Sequence, residues 1–356
     1  MLGLGVKGEV FNDQFLITDI RMKSELPTER RFHFDPPFHP NQSVLLHRQA
    51  DDVWRIDFQL GPEADPAEAL REDTIRGRIA AMLGAGMEWQ LEGASVYKFR
   101  CQRMERFVHG RVLFMGDAAH QVAPFGARGA NGAIQGVENL AWKLARVLRR
   151  QAPASLLETY EAERQRAARE NILNSTRSTD FMSPKSPVSR VFRDSVLSLA
   201  RDYPFARALV NSGRLSVPCN YPDSPLNTPD EDVFAGGVAP GSLCPDAPIV
   251  CDGRRSWLQR LLGNRFVLLV AEEPVEALAA DSDLAVICCD ARQAAQGAAV
   301  FADAEGLVRR RYDLQPGTAY LIRPDQYVCA RWRRPRAAQV AAAWRRALGC
   351  GAQEAA

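Results

Sequence analysis

No stretch of the 356 residues approaches the roughly 20 consecutive apolar positions that a membrane-spanning helix needs. The opening residues, MLGLGVKGEVFNDQF, have neither a basic start nor a long apolar run, so they do not read as a signal peptide. Neither sign of charge is in excess. Lys and Arg number 45 and Asp and Glu 43, a net charge of +2. That removes the usual electrostatic reason to expect a nucleic acid or an anionic membrane as partner. Cysteines are present but unpatterned. The eight of them never form C-x-x-C and have no histidine at zinc-site spacing, which argues against structural zinc and a dithiol redox centre. Scattered thiols fit a reducing cytoplasm, the expected location. Cys288 and Cys289 are adjacent inside the apolar run LAVICCDA and read as filling for a buried strand rather than a redox pair.

What is present suffices for a sizeable core. Hydrophobic residues make up 46% of the chain and its length predicts two or three domains. To about residue 105 the pattern predicts mostly strand. Phe15–Ile17, Arg31–Phe34 and Val44–Arg48 are short runs, and Trp54–Leu60 alternates apolar and polar after an Asp51-Asp52 turn. Residues 66–84 switch to helical spacing behind Pro66. Arg111–Asp117 reads as a strand ending on a Gly-Asp turn, and the loop VAPFGARGANG follows. Helices are predicted over 131–149, with Ile134, Val137, Leu140, Ala141, Leu144 and Leu148 on one face, and over 155–174. Residues 213–245 are rich in Pro, Gly, Asp and Ser, a linker composition. Beyond them strand and helix alternate, through Phe266–Val270, Leu284–Cys288 and Tyr320–Ile322 to a closing helix over 335–348, as in a small α/β domain.

The chemistry-bearing segment runs from Gly116 to Asn139. A strand delivers Asp117 at its C-terminal end, a loop with Gly126, Gly129 and Gly132 follows, and a helix starts. Glycines let backbone amides approach a ligand, and a helix N-terminus favours an electron-rich group. Asp117 can accept hydrogen bonds from hydroxyls, and Arg128 adds positive charge. Together these describe a polyhydroxylated cofactor with an electron-rich head. The plain alternative is a strand-loop-helix turn with glycines for packing, and a glycine-rich loop by itself does not decide between them.

The order strand, Gly-Asp turn, loop and NLAWKLA helix resembles the second flavin motif of class A flavoprotein hydroxylases, which include phenol hydroxylases and 3-hydroxyphenylpropionate hydroxylases. YEAERQRAARENI, from Tyr160, is similar to the helix that follows it in that family. PGTAYLIRPDQYVCARW, from Pro316, is similar to the end of the thioredoxin-like C-terminal domain of the larger members. The resemblance covers nearly the whole chain. It implies an α/β chain: a central substrate-domain sheet and helix over 1–105, the C-terminal part of the FAD-binding domain over 106–212, a linker over 213–245, and a thioredoxin-like domain over 246–356. It further implies that Gly116, Asp117, Ala119 and His120 belong to the FAD site, with Asp117 on the ribityl chain. Pro124 would lie close to the isoalloxazine ring. Arg128, Gly129, Ala130 and Asn131 would face the pyrimidine edge, and the helix would stabilise negative charge at N1 and the C2 carbonyl. His120 is expected to pack or hydrogen-bond rather than carry a proton, so no catalytic residue is assigned. Two departures stand out: Ala127, where many members have glycine, and Gly136-Val137-Glu138, where Asp-Ala is usual.

The implied activity is hydroxylation of a phenolic or related aromatic substrate. FAD would be reduced by NAD(P)H and would add O2 as a C4a-hydroperoxide that transfers its terminal oxygen. The G-x-G-x-x-G strand-turn-helix that grips the FAD pyrophosphate in this family is not found. Gly3–Gly8 fits the string, but no strand precedes it and no helical pattern follows. The chain is therefore expected to lack its N-terminal FAD segment and to retain FAD weakly. A non-catalytic remnant or an assembly subunit is the alternative. His33, His39, His47 and Arg48 are expected to be surface or structural residues, and Trp54, Phe58 and Phe99 to be sheet core. The basic run Arg331–Arg336 is expected to be a solvated helix start rather than a nucleic-acid patch. Without C-x-x-C, the C-terminal domain is left with support or homodimer formation.

Overall fold

The computed structural model describes residues 3–184, 186–211, 216–263, 265–272, 284–291 and 298–350. The alternating first third forms β1 (Val6–Arg21), β2 (Arg30–Phe34), β3 (Ser43–Arg48) and β4 (Val53–Leu60), then α1 (Pro66–Ala69), α2 (Glu72–Leu83) and β5 (Gln90–Met104). Val6–Gly8 at the end of the glycine string already lies in β1, with no helix following as a phosphate-binding turn would need. Asp51 and Asp52 both take left-handed φ, 57° and 59°, the turn that matches the twist of a hairpin. The predicted helix over 66–84 is two helices. Asp65 caps the first by accepting from the Ala67 amide at 2.9 Å, and extended backbone at Arg71 starts the second.

Next come β6 (Val108–His109), β7 (Val112–Leu113), a 3₁₀ turn over Gly116–Ala118, β8 (His120–Gln121), α3 (Arg128–Leu148), α4 (Leu156–Met182), α5 (Pro187–Asp202) and α6 (Pro204–Asn211). The strand expected from Arg111 is only two residues long. Among the described residues β7 pairs with β6 alone, so no wider sheet covers Val112. α3 also differs from its prediction. It starts three residues earlier, and Ile134, Val137 and Leu148 of the predicted apolar face are exposed. Its buried side carries Asn139, Lys143 and Arg146 instead. The chain closes with β9 (Pro248–Cys251), β10 (Arg254–Trp257), β11 (Phe266–Ala271), β12 (Leu284–Cys289), β13 (Ala299–Phe301), α7 (Leu307–Tyr312), β14 (Ala319–Ile322), β15 (Val328–Trp332) and α8 (Ala337–Ala347).

The chain divides into two compact units. Unit 1 comprises 1–105, 120–129 and 171–216, and unit 2 comprises 106–119, 130–170 and 217–356. Unit 1 holds a sheet of order β2-β3-β4-β1-β5-β8. One face, with Leu16, Ile20, Trp54, Ile56 and Phe58, packs with Ile75 and Ile79 of α2. On the other face Phe15, Phe99 and Phe125 form a second cluster. The expectation of sheet core for Trp54, Phe58 and Phe99 therefore holds.

Unit 2 is built on a sheet of order β13-β12-β11-β14-β15, with β11, β12 and β13 parallel and β14 antiparallel to both neighbours. Trp142 of α3 and Leu156 of α4 share a core with Phe266, Leu268, Trp332 and Val340, so α3 and the first half of α4 fold with the C-terminal sheet. Cys288 and Cys289 are buried in β12 as expected. The predicted linker departs from its composition, residues 213–215 lying outside the described residues. Tyr221, Leu226, Val238 and Cys244 are buried, and the Gly241 amide donates to the Val328 carbonyl at 2.7 Å. The basic run is likewise used internally. Arg331 and Arg333 clasp the Phe234 ring at 4.0 and 4.1 Å and pair with Asp230 and Asp313.

Candidate cofactor site

The motif residues fall into both units. In unit 2, Gly116 takes φ 57° and opens the 3₁₀ turn, whose Ala119 amide closes on the Gly116 carbonyl at 2.9 Å. The left-handed backbone requires glycine here. A Cβ at Gly116 would lie 3.5 Å from Ala133 Cβ, which puts the turn against the first turns of α3. Asp117 is exposed on that turn with no hydrogen bond or ion pair to any described residue, and Ala119 behind it is buried. Ala130 and Asn131 are exposed in the opening turn of α3. An uncommitted carboxylate beside a helix start matches the donor set that FAD needs, an acceptor for ribityl hydroxyls and a partial positive charge for an electron-rich ring. The residues present fit the group.

In unit 1, His120 is buried in β8, which pairs Arg103 and Gln102 of β5 with His120 and Gln121. Pro124 is exposed, and a Cβ at Gly129 would meet Val122 Cγ2 at 3.8 Å. Arg128 is not an open loop charge. Its side chain is buried, and Nη1 donates to the Phe125 carbonyl at 3.1 Å, which ties the loop to itself. Ala127 takes φ 53°, and its amide donates to the Pro124 carbonyl at 3.1 Å. A left-handed alanine costs about 1–2 kcal/mol, partly offset by the extra freedom glycine has when unfolded. Ala127→Gly is therefore expected to stabilise the loop by about 0.5–1 kcal/mol. Chemical denaturation would show this as a midpoint raised without a change in slope.

A buried ionic cluster anchors α3 in unit 2. Glu163 of α4 accepts from Lys143 Nζ at 2.7 Å, Asn139 Nδ2 at 2.7 Å, Arg323 Nη1 at 2.7 Å and Ser224 Oγ at 2.6 Å. Arg323 also binds Asp325 at 2.6 Å, and Asp325 accepts from Asn139 at 3.0 Å. Two cations and two anions thus cancel inside a core. Burial, with the charge of Arg323, lowers Lys143 to about 8 against the pull of Glu163 and Asp325. Burial would raise Glu163, but Arg323 and Lys143 overcome it and hold the carboxyl below its usual range. The sequence signal was the Asn139-to-Lys143 spacing on one helix face together with Arg323-Pro-Asp325, which become one cluster only once α3, α4 and the end of β14 pack.

Unit 1 holds a second unexpected group. Asp57 on β4 is half-buried, makes no hydrogen bond or ion pair with any described residue, and has Oδ1 shielded from solvent. Burial raises its carboxyl to about 6, more than Arg55 and Arg30 pull it back. A raised acid binds its proton more tightly when folded, so its cost is absent below the ordinary 3.8, grows to about pH 6 and is constant above. Asp57→Asn is expected to stabilise unit 1 by about 1–3 kcal/mol at pH 7.5, with the gain vanishing towards pH 4. Denaturation series at the two pH values would check it. His39 meets the Gln59 carbonyl at 2.6 Å and His47 meets Gln49 at 2.7 Å, so both are tied into the sheet. Among the described residues no group of His, Cys, Asp and Glu could hold a metal ion, and no helix is long and apolar enough to cross a membrane.

Residues 6–175 match the family model described as FAD binding domain, and residues 238–350 match that described as aromatic-ring hydroxylase, C-terminal. The chain is 27% identical, over 97% of its length and 65% of the relative, to 3-(3-hydroxy-phenyl)propionate/3-hydroxycinnamic acid hydroxylase 2 of Burkholderia vietnamiensis. It is 31% identical, over 77% of its length and 51% of the relative, to 6-methylpretetramide 4-monooxygenase of Streptomyces rimosus. It thus spans less than two thirds of these curated relatives. Among solved structures, the flavin-dependent monooxygenase PieE in complex with FAD and substrate aligns over 98% of this chain and 68% of its own, with a TM-score of 0.76 at 22% identity. The anhydrotetracycline hydroxylase OxyS from Streptomyces rimosus aligns over 99% and 66%, with a TM-score of 0.67 at 25% identity. With both domain models matched in order, residues 6–175 carry the FAD binding domain family and residues 238–350 the aromatic-ring hydroxylase C-terminal family.

Proposed function

We propose that the chain works in an FAD-dependent, NAD(P)H-using monooxygenase that hydroxylates a phenolic or related aromatic substrate. The observation that carries this reading is the exposed, unpartnered Asp117 on a glycine turn laid against the start of α3. It lies inside the segment that matches the FAD binding domain model. When bound, FAD supplies electron transfer from NAD(P)H and the activation of O2. Asp117 holds a ribityl hydroxyl by a charge-assisted hydrogen bond. The N-terminus of α3, at Ala130 and Asn131, favours negative charge on the ring placed there. Gly116 and Ala119 shape the turn, and His120, Pro124, Arg128 and Gly129 shape the loop that leads into the helix. The matched domain family, aromatic-ring hydroxylase, and a relative named 3-(3-hydroxy-phenyl)propionate/3-hydroxycinnamic acid hydroxylase support an aromatic substrate. The C-terminal sheet serves as a thioredoxin-like support domain without redox chemistry, and the protein acts as a cytoplasmic enzyme.

Titrating the purified chain with FAD and reading flavin fluorescence tests the cofactor reading. Asp117→Ala is expected to weaken binding about tenfold to a hundredfold, the loss of one hydrogen bond to a charged group. Unchanged affinity would overturn the assignment. With excess FAD, phenols are expected to accelerate NAD(P)H oxidation and to leave with one added oxygen atom.

A further inference from the structure

We propose that Asp57 is a specificity-determining residue that accepts a hydrogen bond from the ring hydroxyl of a phenolic substrate laid on the second face of the unit 1 sheet. This deepens the proposed function and rests on it for the substrate class. Strand register places Asp57 at the centre of that face. It stands opposite Leu45 on β3 and Ile17 on β1, and Ile17 stands opposite Ser95 on β5. The cross-strand neighbours Leu45 and Ile17 are apolar, while Ser95 and Tyr97 are exposed, so the face is open on that side.

The charged groups around Asp57 do not satisfy it. Arg55, two residues away on the same strand, spends its fork on Asp19, with Nε at 2.9 Å and Nη2 at 2.8 Å. His47 across from Arg55 is engaged with Gln49. Arg30 on β2 acts on Asp57 through space only and forms no hydrogen bond with it. A strand-centre carboxylate with no partner is a cost that packing alone does not recover. Further along the same face, Phe15 and Phe99 stack at 4.6 Å, and Phe125 meets them edge-on at 6.0 and 5.7 Å. An uncommitted acceptor, with Leu45 and Ile17 across from it and an aromatic cluster beyond, can fix the orientation of a ring by a single polar contact. A site built to accept from a hydroxyl discriminates strongly against the analogue that lacks it.

The test compares phenol, resorcinol and 1-naphthol with their methyl ethers, which keep the ring and lose the donor. Binding to the purified full chain is read by ligand-detected NMR, without turnover. The wild type is expected to prefer each phenol over its ether. Asp57→Leu is expected to lose phenol affinity about tenfold to a hundredfold while ether affinity changes less than twofold. Asp57→Asn, which keeps shape and an acceptor but not the charge, is expected to fall between. Equal losses for phenols and ethers would make Asp57 a shape residue and overturn the proposal. So would unchanged phenol binding in Asp57→Leu, or a wild type that binds no phenol. FAD titration of the same samples separates the two readings. Retained flavin binding with no Asp57 effect removes only this inference, and phenol discrimination without flavin binding removes only the cofactor reading.

Discussion

Glu163→Gln is expected to destabilise unit 2 by about 3–5 kcal/mol, enough to leave much of the protein unfolded in mild urea. The substitution keeps the volume and removes one charge from a cluster whose members are all buried. Lys143 and Arg323 would then share Asp325 as their single anion, and an uncompensated cation in a core is among the most costly defects a protein can carry. Replacing Glu163 and Lys143 together by methionine leaves the Arg323–Asp325 pair balanced. That double variant is expected to recover most of the loss, because a buried ion pair and an apolar filling of equal size differ little. Glu163 is held below its usual 4.5, so its ionised form stabilises the fold above that pH and the contribution is lost as pH falls through the lowered value. The gap between wild type and Glu163→Gln should therefore be full at neutral pH and narrow below pH 4.5. A gap that stays constant with pH would assign the loss to packing instead of charge. The cluster fixes Asn139 and Lys143 of α3, the helix whose first turns the Asp117 turn lies against.

Gly241→Ala is expected to cost about 3 kcal/mol or more. Its φ is 85°, which an L side chain resists by about 1–2 kcal/mol. The new Cβ would sit 2.3 Å from the Tyr221 carbonyl oxygen and 2.8 Å from Asn227 Nδ2, both inside contact distance. Relieving that overlap must move the strap that holds two hydrogen bonds of 2.7 Å, Tyr221 amide to Gly241 carbonyl and Gly241 amide to Val328 carbonyl. Each is worth about 1 kcal/mol. Gly236, whose Cβ would meet nothing within 4 Å, is the control, and Gly236→Ala should stay within about 0.5 kcal/mol of the wild type. Comparable losses at both positions would mean that the segment is not strapped to β15. Thermal or urea denaturation of the two variants decides it.

Several features were legible along the chain because they depend on neighbours close in sequence. The alternation of Trp54–Leu60 and the hairpin at Asp51-Asp52 both appear where local periodicity puts them. The glycine-led turn at Gly116-Asp117 before a long helix also survives intact, since a left-handed backbone followed by a helix start is a local property. The resemblance to flavoprotein hydroxylases rested on that turn, and the matched domain models agree with it.

Other features were decided only by packing between distant segments. Composition made 213–245 a linker, but a Pro- and Gly-rich segment is equally able to lie against a sheet when its amides find acceptors, as Gly241 finds Val328. Apolar spacing put Ile134 and Val137 inwards on α3, yet those residues are exposed and Asn139 and Lys143 are buried. That choice is invisible without Glu163 and Arg323, which lie 20 and 160 residues from their partners. Asp57 reads as an ordinary polar residue on the open side of an alternating strand. Only the assembled sheet shows Arg55 already committed to Asp19 and the carboxylate left over. The family resemblance, the glycine turn at Gly116-Asp117 and the strand pattern could all be read along the chain, since periodicity and backbone sterics act over a few residues. The tertiary structure decided which polar groups are buried and which of them remain unpartnered, because desolvation and charge balance depend on what every other segment brings to the same place.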